Sequence, residues 1–165
     1  MSAAMLDAPT KPLPLSHPAM LVATLAGIGF SPRAPGTVAA LAALPFAWVI
    51  AGASGPLGLA AAAAILFLPG WWAAAVAARA LGKDPRVVVV DEAVGQWLTL
   101  AAAPLDPWFY LAGFVLFRAF DIAKPWPVGW ADRRIAGGFG ILLDDILAAV
   151  YAGVLLLIAR HVLGR

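Results

Sequence analysis

The chain has 165 residues, of which 63% are hydrophobic and only 12% charged, with a net charge of +2 and a mean hydropathy of +0.91. Soluble domains carry charge on about a quarter of their residues, so this composition indicates a single-domain membrane protein, and the small net charge without an extended basic run excludes a nucleic-acid partner. The absence of cysteine excludes disulfides, thiolate catalysis and Cys-based metal sites.

In chain order, residues 1–17 are Pro-rich and polar and read as a flexible tail preceding one helical domain over 18–165. The apolar stretch from Pro18 to Phe30 is too short to span a bilayer, and the "SPRAPGT" that follows lacks a small-x-small cleavage site. An interfacial or re-entrant helix is expected there. No charged side chain occurs from Pro35 to Ala78. Apolar length and breakers divide this region into a first segment near 37–50, ending at "GASGP", and a second near 57–78, bent at Pro69-Gly70. A third segment covers 87–103 and stops at "PLDP", and a fourth covers 108–122. After "KPWPVGWADRR" a last segment runs from 139 to 159. The expected fold is therefore all-α, a polytopic membrane helix bundle of four to five segments.

Charge placement orients it. Lys11, Arg33, Arg79, Lys83, Arg86, Lys124, Arg133 and Arg134 fall on one side, whereas "GASGP" and "PLDP" carry no Lys or Arg. The positive-inside rule assigns the basic side to the cytoplasm, with Arg160 and Arg165 as exceptions. Asp91 and Glu92 open the third segment, Asp121 closes the fourth, and Asp144 and Asp145 sit early in the last, so five carboxylates converge on that side. Helical spacing puts the Asp144/Asp145 pair on the face of Ala148, Ala149, Ala152 and Gly153, and puts Asp91 and Glu92 on the face of Gly95, Gln96 and Thr99. Small residues mark close helix–helix approach, so these carboxylates are expected to face protein.

A carboxylate at bilayer depth costs about 2.5–3.5 kcal/mol, and more without a partner. Carboxylates gathered without His or Cys suit a hard cation, and Mg²⁺ is commonly held by one or two carboxylates, waters and a substrate phosphate. Cations stand close by. Arg33 precedes the helix start Pro35-Gly36-Thr37, whose free N–H groups favour anions, and Arg118 and Lys124 flank Asp121. Together these residue types are what metal-assisted phosphoryl chemistry needs. Blander readings stand beside this one. Asp91, Glu92 and Asp121 are also placed to pair structurally with Arg118 or Lys124, Pro35-Gly36-Thr37 is an ordinary helix start, and Arg133 and Arg134 can serve topology alone. Trp126 and Trp130 read as interfacial anchors, Trp71, Trp72 and Tyr151 as packing, and His17 and His161 carry no expected role.

The stretches "GFSPRAPGTVAALAALPF", "VVVDEAVGQWLTL" and "FVLFRAFDIAKPWPVGWADRRIAGGFGILLDDILAAV" resemble the phosphatidylglycerophosphatase A family, in order and spacing, from about Gly29 to Gly153. The resemblance implies a bacterial inner-membrane, Mg²⁺-dependent lipid phosphatase that converts phosphatidylglycerophosphate to phosphatidylglycerol. It also implies that Asp91, Glu92, Asp121, Asp144 and Asp145 are catalytic metal-side residues, with Arg33, Gly36, Thr37, Arg118 and Lys124 toward the phosphate. The expected mechanism is in-line attack of metal-activated water on phosphorus, with an aspartyl-phosphate route left open. Two other classes stay in view. A cation or proton transporter also uses intramembrane carboxylates, and a CDP-alcohol phosphotransferase also places aspartates and Mg²⁺ at the cytoplasmic surface, although its D-G-x-x-A-R run is absent here.

Overall fold

The computed structural model describes residues 13–164. Lys11 and Arg165, used above in the charge bias, and most of the expected flexible tail lie outside the described residues. Six α-helices and one 3₁₀ turn make up the fold, with no strand among the described residues: α1 Pro18–Ala23, the 3₁₀ turn Ile28–Phe30, α2 Pro35–Leu81, α3 Val90–Leu100, α4 Pro107–Ala123, α5 Val128–Arg134 and α6 Gly137–Val162.

The all-α expectation holds, and its segment boundaries shift. The stretch 18–30 is a short helix and a turn, because Leu25 and Ala26 take positive φ of 47° and 56° and stop helix propagation. His17 has a local task after all, since its Nδ1 accepts a hydrogen bond from the Ala19 N–H and caps α1. The first two expected segments are the two limbs of α2. Gly55 breaks helical geometry with φ 72° and ψ −175°, a conformation glycine adopts without steric cost, and Pro56 restarts the helix beyond it. The chain folds back there. Gly36 abuts Glu92 and Gly70 abuts Val90, whereas a straight helix would hold those glycines about 50 Å apart. "KPWPVGWADRR" contains α5, which sequence reading treated as connection only.

Small residues let the helices approach. Ala40, Ala148, Ala149 and Ala152 form one buried cluster with Phe117, and Ala73, Ala74 and Ala77 form another with Val90 and Leu142. Gly138 of α6 lies so close to α2 that a Cβ added there would stand 2.3 Å from the Ala75 amide nitrogen. The expected inner face of α6 is the observed one: Ala148, Ala149, Ala152 and Gly153 are buried, and Val150, Leu157 and Ile158 are exposed. α6 packs against α2, α3, α4 and α5 and is the central helix.

Two helices, α2 and α6, are long and apolar enough to cross a membrane. The outer surface of α2 presents Val49, Leu57, Ile65 and Leu68, each more than 60% exposed, a continuous apolar exposure that water does not favour and lipid does. The starts of α2, α3 and α6, the end of α4 and all of α5 gather at one end of the bundle. The Gly55 reversal and the 101–106 connection occupy the other.

Candidate functional site

The gathered end encloses a cavity of about 300 Å³. Its wall is predominantly polar and takes Asp91 and Glu92 from the first turn of α3, Asp121 from the last turn of α4, and Asp144 and Asp145 from α6. All five carboxylates expected from the sequence therefore meet in one place. α3 begins and α4 ends at this level, and α6 brings Asp144 and Asp145 in about two turns from its start, on its buried Ala/Gly face.

Asp91, Asp121, Asp144 and Asp145 are buried, at 8%, 9%, 6% and 3% exposure. Such charges need partners, and two fixed cations supply some. Arg118 Nη1 lies 2.7 Å from Asp121 Oδ2 and 3.7 Å from Glu92 Oε1. Lys124 Nζ lies 2.6 Å from both Asp132 Oδ1 and Asp144 Oδ2. The blander pairing reading is thus realised for Glu92 and Asp121 but not for Asp91, while Asp144, outside that reading, pairs with Lys124. Asp91 Oδ1, Glu92 Oε2, Asp144 Oδ1 and Asp145 Oδ2 are buried without a hydrogen-bond partner. Orphaned buried oxygens, in an all-oxygen donor set, fit a hard divalent cation. Asp91, Glu92 and Asp145 can each direct one oxygen to within 4.8 Å of the others, and so can Asp121, Asp144 and Asp145.

Lys124 caps the end of α4 at φ 45°, in the left-handed region that non-glycine residues seldom occupy and that recurs at functional sites. Burial opposes the charge on its ammonium, but the Asp132 and Asp144 carboxylates overcome that effect and hold it above the ordinary lysine range. Gly36, at the start of α2, also lines the cavity, and a side chain there would displace the Glu92 carboxylate. A Cβ there would fall 1.9 Å from Glu92 Oε1 and 3.3 Å from Arg118 Nη1.

The phosphate-side expectations divide. Gly36, Arg118 and Lys124 are in the wall, whereas Arg33 is exposed and Thr37 half-buried, both outside the lining. Sequence reasoning missed Asp132, which α5 brings to Lys124, and the rim residues Lys83, Asp84 and Arg86 from the connection between α2 and α3. Lys124 ends α4 and Asp132 lies on α5, so their contact depends on how the two helices meet across Pro125 and Pro127, and the prolines conceal α5 in the sequence.

The tryptophans expected to pack, Trp71 and Trp72, are both exposed. Trp126 is 78% exposed, Trp130 is also exposed, and the Trp126 carbonyl accepts a hydrogen bond from the Tyr151 hydroxyl at 2.8 Å. Trp71 packs edge-on against Phe139.

Fold and site define a class: an all-helical protein with membrane-length helices and a buried acidic cavity, buttressed by Arg and Lys, at one end of an apolar bundle. Comparison with known proteins narrows it. The family model for phosphatidylglycerophosphatase A matches residues 21–160, and the chain belongs to that family. It is 40% identical over 153 residues to phosphatidylglycerophosphatase A of Escherichia coli K12, covering 90% of this chain and 88% of the relative. It is 38% identical to phosphatidylglycerophosphatase A of Haemophilus influenzae, over 87% of this chain and 90% of the relative. A Bacteroides thetaiotaomicron protein, named provisionally as a phosphatidylinositol-3-phosphatase, is 42% identical over 88% of this chain and 95% of its own length. No solved structure matches the chain.

Proposed function

We propose that this protein hydrolyses the terminal phosphate of phosphatidylglycerophosphate, releasing phosphatidylglycerol and inorganic phosphate, in a Mg²⁺-dependent reaction at the cytoplasmic face of the bacterial inner membrane. The observation that carries the reading is the meeting of five carboxylates with Arg118 and Lys124 in one cavity at the bundle end. Family membership supplies the substrate class, since two of the relatives are named for this activity.

Asp91, Glu92, Asp121, Asp144 and Asp145 would hold the metal, and the unpartnered oxygens of Asp91, Glu92, Asp144 and Asp145 are the fit. Mg²⁺ bound there would supply Lewis acidity toward a phosphoryl oxygen and make a bound water more acidic. The protein's own contribution is placement. Arg118 and Lys124 stand beside the carboxylates, where negative charge arriving with a phosphate needs neutralising. The start of α2 at Pro35 and Gly36 adds the positive end of a helix dipole to the same wall. The cavity lies at an end of the bundle, which suits a headgroup phosphate whose acyl chains stay in the bilayer.

Both limbs of α2, with α4 and α6, would make four crossings, and α3, at about 16 Å, a partial one. Arg79, Lys83, Arg86, Arg133 and Arg134 lie at the cavity end, which supports a cytoplasmic assignment by the positive-inside rule. The name of the Bacteroides relative favours one second reading, an inositol lipid monophosphate as substrate. The transporter and phosphotransferase readings gain nothing from the family.

The test is phosphate release by purified protein from phosphatidylglycerophosphate, phosphatidylinositol 3-phosphate and phosphatidic acid, each with and without chelator. Fastest release from phosphatidylglycerophosphate, abolished by chelator and restored by Mg²⁺, is expected. Preference for the inositol lipid would support the second reading. No release from any of the three would overturn both.

A further inference from the structure

The fixed cations of the cavity are unevenly shared. Arg118 serves Asp121 and Glu92, and Lys124 serves Asp132 and Asp144. Asp91 and Asp145 have no ion pair among the described residues, although they are 8% and 3% exposed. Both line the cavity, and Asp91 Oδ1 and Asp145 Oδ2 are buried without any hydrogen-bond donor. An ionised carboxylate in that position calls for a positive ligand that the chain itself does not provide.

The geometry indicates how many such ligands. Two trios of carboxylates can each converge on a point, Asp91 with Glu92 and Asp145, and Asp121 with Asp144 and Asp145. One trio bridges α3 and α6, the other α4 and α6, and Asp145 belongs to both. It is also the least exposed of the cavity's carboxylates. A carboxylate has two oxygens and can give one to each of two ions. Charge balance agrees. The cavity lining carries seven carboxylates and four cationic side chains, a net of three negative charges, more than one divalent cation neutralises. A single divalent ion would leave the cavity still negative and repellent to a phosphate.

Resting on the metal-dependent reading above, we propose that the cavity binds two divalent cations bridged by Asp145, one held between α3 and α6 and the other between α4 and α6. Paired ions about 3.5–4 Å apart suit phosphoryl chemistry because both the entering and the leaving oxygen can be stabilised at once. Asp145 is then the residue that fixes their separation.

Mn²⁺ tests this directly, because two Mn²⁺ ions sharing a carboxylate are magnetically coupled and a lone ion is not. The full chain in a non-ionic detergent is titrated with Mn²⁺ while bound metal per chain and the low-temperature paramagnetic resonance spectrum are recorded. Two ions per chain with a coupled spectrum are expected. Asp91→Asn and Asp121→Asn should each retain one ion with an uncoupled spectrum, and Asp145→Asn should lose the coupled signal. The Asp91 and Asp121 variants decide the point even where Asp145→Asn does not fold. One Mn²⁺ per wild-type chain, or a coupled spectrum that survives in Asp145→Asn, would overturn the bridge. Chelator-sensitive phosphate release alongside a single bound ion would leave the phosphatase reading standing without it.

Discussion

Gly36 offers a way to disturb the cavity without unfolding the bundle. A methyl group added there would sit 1.9 Å from Glu92 Oε1 and 3.3 Å from Arg118 Nη1. To regain ordinary contact, the Glu92 carboxylate must retreat by about 1.5 Å. It is the far end of a side chain, so it can move, and the helix start itself meets no backbone obstacle. The displaced group is one of the proposed metal ligands, and its oxygen also faces Arg118 at 3.7 Å. Misplacement of a catalytic group by about 1 Å costs on the order of 100-fold in rate. Gly36→Ala is therefore expected to lower lipid phosphate release by roughly 10- to 100-fold while its thermal unfolding in detergent stays near that of the wild type. Gly52→Ala is the control, because its added Cβ would meet only Leu105 Cδ2, at an ordinary 3.7 Å. It should change neither quantity. A folded Gly36→Ala protein with wild-type turnover would refute the placement of Glu92 in the working site.

Arg118→Lys keeps a charge and loses the planar guanidinium whose Nη1 stands between Glu92 and Asp121, so phosphate release should fall roughly 10- to 100-fold, the equivalent of a charge-assisted contact of about 1.5–3 kcal/mol. Arg33→Lys should cost less, since Arg33 is exposed and outside the cavity wall; an equal or larger loss would put Arg33 on the phosphate in the working complex. Gly138→Ala should destabilise the bundle by about 1–3 kcal/mol, because its Cβ would meet backbone atoms, Ala75 N at 2.3 Å and the Trp71 carbonyl oxygen at 2.5 Å, neither of which can swing aside. An unchanged melting temperature would contradict that packing. The chain has no native cysteine, so Ser54→Cys and Arg134→Cys can be labelled singly in intact cells. Ser54→Cys should react from outside the inner membrane and Arg134→Cys only from the cytoplasm, and labelling of both from one face would overturn the proposed topology.

Most of the site was legible because its signal is chemical and local. Asp144 and Asp145 interrupt an apolar run, and helical spacing alone sets them on the face of Ala148 and Ala152 that the structure buries. Asp91, Glu92 and Asp121 followed from their positions at segment ends, which loop charges had already put on one side. Asp132 was not legible, because its role depends on α5, a short helix that begins next to prolines and shows no apolar period of its own. The position of Arg33 relative to the cavity was not legible for a related reason. Sequence adjacency to Pro35 and Gly36 suggested a shared pocket, but the left-handed Ala34, at φ 45°, intervenes before the helix, and Arg33 stands exposed outside the wall. The fold-back at Gly55 was readable from "GASGP", whereas the shortness of α1 was not, since positive φ at Leu25 and Ala26 is a tertiary choice that no residue type there announces.

The central claim is that the buried carboxylates form a metal-dependent phosphatase site, and Asp145 is where it is most exposed to test. Single-turnover phosphate release from phosphatidylglycerophosphate is measured in the same nanodiscs for the wild type and Asp145→Asn, across a Mg²⁺ titration that starts from chelated protein. The substitution preserves shape and removes the charge of the most deeply buried carboxylate of the cluster, at 3% exposure. The account predicts Mg²⁺-dependent release by the wild type and a loss of at least about 1,000-fold, on the order of 4 kcal/mol, in a variant that is inserted and folded. Wild-type release that persists in chelator, or an Asp145→Asn protein that turns over normally, would contradict it.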